Sequence, residues 1–387
     1  MASQALGQSS VLTASSRPLV VISILNWNGW EDTLECLESV RRLDYPNFLT
    51  VVVDNGSWNG SADKIKAWAE ANLGPGHVIA DYNRETALAG GDPETEQALG
   101  RAPSAGRMVL IRNEENLGWT GGNNVSIHYA LTRKGSGGYI FLLNNDALVD
   151  PQCVSSLVRV SQRAEAGIVG AVTVDRGSHH AGPAIALSFV RCLFTPLISP
   201  ATPYQGKEEF WRSGFVSGAG MLIRRDVLET FHRSNAEYLF TRLFMYWDDQ
   251  AFCYVANKLH YATVFARKAI IYHRVATSSG GAFSPLLFYY RERGKILAAN
   301  MVLSPGWRTL FHILNPPLAF ARMIKYLRLQ PGLARAAFCG LLDGYRGIGG
   351  RWRDHDREAL RFRESLSRMT KEASEGAAVS VGNNSRA

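Results

Sequence analysis

Four places in the chain set polar, reactive side chains among apolar or aromatic ones. Asp146 follows Asn144 and Asn145 at the end of the apolar run Tyr139–Leu143. A carboxylate there can hold a hard divalent cation whose other oxygens come from a substrate phosphate. The alternative is an Asp that simply opens the turn before Asp150-Pro151. Asp248 and Asp249 lie together inside the aromatic segment Met245–Cys253, directly after Trp247. Helical neighbours point about 100° apart, so the two carboxylates cannot share one exposure. A carboxylate among apolar groups holds its proton more tightly, as a general base requires. The plainer alternative is an acidic pair at a helix N-terminus. His273 closes the run Ala269–Tyr272, a position that suits a structural histidine as well as a ligand. Tyr289, Tyr290, Arg291, Arg293 and Lys295 suit either closure over a phosphate or the solvated start of a basic helix.

These groups do not stand alone. Asn26-Trp27-Asn28, Asp54-Asn55-Gly56-Ser57 and Asn116–Asn124 also follow apolar runs. Any one of them is ordinary turn chemistry. Four polar strand ends in succession, with Asn144–Asp146, indicate one shared edge. In Asn116–Asn124 the adjacent Gly121 and Gly122 precede a helix, where free amides favour anionic oxygens. The segment is neither GxGxxG nor a P-loop, so a dinucleotide or P-loop site is not indicated.

The elements that must position these groups alternate. Leu19–Leu25 and Phe48–Val53 read as buried strands, with a helix between them carrying Leu34, Leu37 and Val40 at helical spacing. Further strands are expected at Arg107–Arg112, Tyr139–Leu143, Gly220–Ile223 and Ala269–Tyr272, with helices through Ile65 and Trp68, to Leu131, and from Pro285 onward. Alternation of this kind predicts an α/β domain with a mostly parallel sheet, and ligands of such sheets bind at the carboxyl ends of strands. Residues 83–106, rich in Gly, Pro, Ala and Glu without periodicity, read as a flexible insertion. The expected organisation is a tail over 1–17, a domain over 18–300, a basic amphipathic helical extension over 301–375 and a disordered tail over 376–387.

Composition narrows the partners. The 387 residues carry a net charge of +8. The segment Arg291–Arg357 alone holds 12 basic and 4 acidic side chains, so it accounts for the whole surplus. A near-neutral body with a basic C-terminal segment argues against nucleic acid and for anionic lipid or a phosphorylated ligand. Five scattered cysteines without a CxxC pair speak against a disulfide scaffold or structural zinc and fit a reducing compartment. The first residues lack a signal-peptide pattern, and no stretch reaches the ~20 apolar residues of a membrane span.

In order, VVISILNWNGWEDTLECLESV, VVVDNGSWNGS, NLGWTGGNNVSIHYAL, FLLNNDALVDP, SGAGMLIRRDVL, MYWDDQAFC and IIYHRVATSS resemble a family 2 glycosyltransferase. The likeness runs from about Pro18 to Asn300 and is greatest to bacterial rhamnosyltransferase-like members that build cell-surface polysaccharides. It implies the GT-A fold, with Asn26, Trp27 and Asn28 lining the nucleotide pocket, Asp54 on the base and Ser57 beside it. It implies that Asn116, Gly118, Gly121, Gly122 and Asn123 pack against the nucleotide-sugar, with Arg293 as a further contact. Asn144-Asn145-Asp146 stands for the metal motif in a relaxed form, so Asp146, helped by His273, would hold Mg²⁺ or Mn²⁺. Asp249 would be the general base, with Trp247 and Asp248 on the acceptor side. Departures from the family pattern fall at Asn59, Ala251, Val255, His260 and Gly294. The resemblance implies inverting transfer from a dTDP-rhamnose-like or UDP-sugar donor to a glycan or lipid-linked acceptor. The expected location is the cytoplasmic face of the inner membrane, reached through residues 301–357. Two competing readings are a sugar nucleotidyltransferase, which calls for a basic Gly-rich loop where Asn26-Trp27-Asn28-Gly29 stands, and a degenerate, non-catalytic membrane-associated protein.

Overall fold

A computed structural model describes residues 17–133, 138–175, 207–274 and 284–352. The apolar stretch 185–204, residues 353–375 and both expected tails, apart from Arg17, lie outside the described residues.

The chain alternates as its apolar runs predict. Strand β1 (Val20–Asn26) is followed by α1 (Trp30–Val40), β2 (Phe48–Asn55) and α2 (Ser61–Asn72). Next come β3 (Val78–Asn83), α3 (Arg84–Leu88), α4 (Pro93–Arg101), β4 (Arg107–Asn113) and α5 (Gly118–Thr132). Strands β5 (Tyr139–Asn144) and β6 (Ala147–Val149) then lead through α6 (Cys153–Arg163) to β7 (Ile168–Asp175). After 176–206 follow β8 (Phe210–Arg212), β9 (Gly220–Arg224), α7 (Arg225–Asn235), α8 (Asp248–Lys258) and β10 (Thr263–His273). Three helices close the described chain: α9 (Pro285–Val302), α10 (Pro305–Leu329) and α11 (Pro331–Tyr345).

The strands form one sheet in the order β3-β4-β2-β1-β5-β9-β7-β10-β6, with β8 beside β10. The block from β3 to β5 is parallel throughout. Beyond it β9 runs antiparallel to both β5 and β7, whereas β7 and β10 pair in parallel. Alternate residues of β1 point to opposite faces. Val20, Ile22 and Ile24 meet Cys36 and Leu37 of α1, Ile65 of α2 and Leu157 of α6. Val21 faces the other core, which draws on Val125 and Ile127 of α5, Val227 of α7, Phe252 of α8 and Ile296 of α9. The sheet is therefore the middle of three layers, and only its ends reach solvent.

Residues 83–106 differ from the flexible insertion that composition suggests. Asn83 caps α3 through the Thr86 amide, and Asp92 caps α4 through the Thr95 amide ahead of Pro93. Glu96 then anchors α4 inward, accepting hydrogen bonds from Tyr82 Oη (3.1 Å) and Tyr129 Oη (2.7 Å) and pairing with Arg133 at 2.8 Å. Ala87 and Leu99 are fully buried. A polar anchor replaces the apolar stripe that periodicity searches for.

Helix α10 is turned inside out relative to a surface helix. Phe311, Asn315 and Ala319 form its narrow buried stripe. Trp307, Ile313, Phe320, Ile324 and Leu327 are exposed, Phe320 by 68% and Ile313 by 64%. No helix among the described residues is long and apolar enough to cross a membrane.

Candidate active site

Sheet register brings the polar strand ends level. Asn26 stands opposite Asp54, Leu25 opposite Asn144, and His273 opposite both Ala147 and Asp175. At the centre is Asn26, fully buried. Its Nδ2 donates to Asp54 Oδ1 (2.6 Å) and Ser57 Oγ (3.2 Å). Its Oδ1 accepts from the Gly29 amide (3.2 Å) and Thr33 Oγ1 (3.0 Å). These four bonds saturate the carboxamide. Ser57 Oγ also accepts from the Asn28 amide at 2.8 Å, and Asp54 Oδ2 accepts from the Ser57 amide at 3.1 Å. The first two strand-end loops are thus one cross-linked unit, with Trp27 on its rim, 37% exposed.

Thr33 extends the unit to the third loop. Asn145 Nδ2 donates to Thr33 Oγ1 (3.1 Å) and to the Gly29 carbonyl (3.2 Å). That fixes the turn on which Asp146 rides. Asp146 is 3% exposed, and its Oδ1 lies 2.9 Å from His273 Nε2. Asn144 closes the cluster, its Nδ2 3.3 Å from the same imidazole nitrogen and its Oδ1 accepting from Trp119 Nε1 at 3.1 Å. Asp32, in the first turn of α1, pairs with Arg274 at 2.8 Å. Burial pushes the Asp32 carboxyl up, Arg274 pulls it down, and the charge of Asp146 pushes it up again.

Asp248 and Asp249 open α8, after a left-handed Trp247. Asp249 Oδ2 accepts from the Gly218 amide at 3.2 Å, and Oδ1 from the Gln250 amide at 2.8 Å. Burial raises both carboxyls above the usual range, Asp248 also through its charged neighbour, against the lowering effect of the amides. Gly218 connects this pair to the first cluster, because a Cβ there would stand 2.5 Å from the Trp119 indole. Asp249, Gly218, Trp119, Asn144, His273 and Asp146 thus form one continuous line of contacts along the sheet edge.

The other residues expected to touch the ligand pack around the start of α5 or, for Arg293, lie within α9. Helix α5 begins at Gly118, so Gly121, Gly122 and Asn123 lie within its first two turns and are buried. A Cβ on Gly122 would collide with Leu25, which makes this glycine a helix-to-strand packing device. Asn123 accepts from Ser23 Oγ at 3.1 Å and donates to the Trp119 carbonyl at 2.8 Å. Asn116 Oδ1 accepts from Asn55 Nδ2 (3.0 Å) and the Gly118 amide (2.8 Å). Gly118 has φ +76° against the Phe244 carbonyl, a conformation that favours glycine. Arg293 is fully buried, donating to the Leu243 carbonyl at 3.0 Å and lying over the Tyr289 and Tyr290 rings. It braces the segment before α8. The sequence assigns no individual role to Thr33, Asn55, Trp119 or Gly218, although Asn55 and Trp119 lie within two of its polar strand ends. Of these, Thr33 carried a signal, as a polar residue on the apolar stripe of α1.

The family model described as "Glycosyltransferase like family 2" matches residues 77–287. The chain belongs to this family. No curated protein matches it in sequence. Among solved structures it is similar to S. aureus TarS 1-349 in complex with UDP-GlcNAc, with 14% identity, 85% of this chain and 81% of that chain covered, and a TM-score of 0.50. It is also similar to the mannosyltransferase PcManGT from Pyrobaculum calidifontis in complex with GDP-Man and Mn²⁺, with 16% identity, 91% and 82% coverage and a TM-score of 0.49. The fold of this family 2 chain is GT-A.

A divalent cation fits the Asp146 end. A buried carboxylate oxygen and an imidazole nitrogen face each other at 2.9 Å, and both are donors that Mg²⁺ or Mn²⁺ accepts. No cluster of three or more His, Cys, Asp or Glu side chains occurs among the described residues. Such an ion would therefore complete its shell with water and substrate oxygens.

The Asn26 unit makes a direct prediction. Asn26→Leu keeps the volume but strands Asp54, Thr33 and the Gly29 amide in a buried place. We expect a loss of about 2–3 kcal/mol in urea unfolding, with nucleotide affinity falling too. Unchanged stability would show that the unit is not structural.

Proposed function

We propose that this family 2 glycosyltransferase moves a sugar, with inversion, from a nucleotide-diphosphate sugar to a hydroxyl of a cell-surface glycan or lipid-linked acceptor. The observation that carries this reading is the line of contacts joining Asp249 to Asp146. It links the carboxylate we assign to proton acceptance with the carboxylate we assign to the cation, and displacement of a diphosphate calls for both. Asp249 takes the proton of the acceptor hydroxyl as that oxygen attacks the anomeric carbon. Two backbone amides fix both Asp249 oxygens, which orients the carboxylate. Asp248, buried beside it, has its proton affinity raised by that burial and by the neighbouring Asp249 charge. Trp247 shapes the acceptor side, its Nε1 donating to the Arg291 carbonyl at 2.9 Å. The Asn26–Asp54–Ser57 unit holds the loops that shape the nucleotide pocket. Mg²⁺ or Mn²⁺, held by Asp146 and His273, would supply Lewis-acid neutralisation of the leaving diphosphate. Donors of the dTDP-rhamnose or UDP-sugar class suit this pocket chemistry.

Asp249→Asn should cut transfer by about 10²–10⁴-fold. The base works only when ionised, and burial raises its proton affinity. The acid limb of kcat/KM in the unaltered enzyme should therefore lie above the ordinary aspartate range, with activity rising as pH increases through it. Near-normal transfer by the variant would remove Asp249 from the mechanism.

The exposed apolar face of α10, interleaved with Arg308, Lys325 and Arg328, supports peripheral attachment to an anionic membrane. A lipid-linked acceptor and a cytoplasmic-face location accord with such a surface. Phosphatidylglycerol vesicles should sediment the protein, less so at high salt, and Ile313→Ser/Phe320→Ser should weaken the binding. Equal sedimentation with neutral vesicles would contradict the attachment.

A further inference from the structure

Three of the four residues before α8 hold backbone conformations that large side chains avoid. Phe244 has φ +68° and ψ −55°, and the Met245 amide donates to the Leu243 carbonyl at 2.8 Å. That is a γ-turn of the rare, strained hand. Tyr246 (φ +62°) and Trp247 (φ +69°) follow in the left-handed region, which bulky residues seldom occupy. Such strain persists only where the surroundings over-determine it, and it clusters at functional sites.

One stretch of α9 supplies most of that constraint. Arg293, fully buried, donates to the Leu243 carbonyl at 3.0 Å, the same oxygen that closes the γ-turn. The Tyr290 ring stacks on Phe244 at 5.1 Å and 14°, and the Arg293 guanidinium lies 4.7 Å from the centre of that ring. Trp247 Nε1 donates to the Arg291 carbonyl at 2.9 Å. A Cβ on Gly294 would stand 3.0 Å from the Trp247 indole and 3.1 Å from the Tyr246 carbonyl. From the other side α5 completes the clamp, the Thr120 amide donating to the Phe244 carbonyl at 3.3 Å. The turn leads directly into Asp248 and Asp249. Because the Trp247 carbonyl accepts from the Ala251 amide at 2.9 Å, the left-handed Trp247 sets the direction in which α8 starts.

We infer that Arg293 is a positioning residue: acting through the Leu243 carbonyl and the strained turn, it fixes the Asp249 carboxylate for proton acceptance, and it does so without touching a ligand. This rests on the role given to Asp249 in the transfer reading. Arginine suits the task because its planar fork can bond a carbonyl while its face lies on an aromatic ring. A lysine can do the first but not the second.

Hydrolysis of dTDP-rhamnose with Mn²⁺, in which water takes the place of the acceptor hydroxyl, reads kcat and KM in the full chain. Hydrogen exchange of the peptide 244–250 reads the turn without any need for activity. Arg293→Met should lower kcat at least tenfold, leave the donor KM within twofold, and quicken exchange over 244–250 at least tenfold while residues 20–33 stay unchanged. Arg293→Lys should recover part of both losses. Gly294→Ala serves even if Arg293→Met does not fold, since alanine favours a helix interior over glycine while its methyl presses on Trp247. It should lower kcat at least threefold with the donor KM again unchanged. Three results would overturn the assignment: kcat unchanged in folded variants, a KM that rises while kcat holds, or exchange over 244–250 that quickens no more than in the chain as a whole. The second would mark a donor contact and the third a merely structural arginine. If the unaltered protein does not hydrolyse dTDP-rhamnose, the failure belongs to the transfer reading and its donor, and the exchange comparison still decides the brace.

Discussion

The site depends on one saturated side chain. A buried carboxamide must satisfy two donor hydrogens and two acceptor lone pairs, and an unmade bond in a dry place costs more than a made one gains. Asn26 meets that demand by taking Asp54, Ser57, Gly29 and Thr33 as partners. Because they belong to β2, its following loop and α1, the end of the central strand dictates where its neighbours stop. Thr33 passes the constraint to Asn145, and so to the turn carrying Asp146. The rigidity of the Asn26–Asp146 end originates in hydrogen-bond arithmetic at the sheet edge.

The Asp248–Asp249 end is built differently. Asp248 and Asp249 are fixed by helix-start amides and by the Gly218 amide, and burial leaves both carboxyls with raised proton affinity. Behind them Arg293 gives its charge to a carbonyl and two aromatic rings. The positive charge of the C-terminal segment is thus divided. Arg293 is consumed internally, Arg322 is tied to Glu292, and Lys295 is held close to Trp247.

What could be read from the sequence follows from where apolar pattern carries information. Buried parallel strands need continuous apolar runs, so β1, β2, β4 and β5 and the polar residues ending them stood out. Glycines carry no such label. Gly122 looks like a phosphate-loop glycine, yet it serves the approach of α5 to Leu25. The 83–106 segment hid its order because Glu96, bonded to two tyrosines and Arg133, does the work of an apolar stripe. Amphipathic spacing in α10 was visible, but which side faces outward is set by the packing of Phe311, Asn315 and Ala319.

The central claim is that one edge holds two carboxylates with separate tasks, cation binding at Asp146 and proton acceptance at Asp249. Paramagnetic resonance of Mn²⁺ titrated with a nucleoside diphosphate tests it most directly. Free Mn²⁺ signal should fall when protein and nucleotide are both present. That response should vanish in Asp146→Ala and persist in Asp249→Asn. Retention of the response in Asp146→Ala, or its loss in Asp249→Asn, would contradict the account.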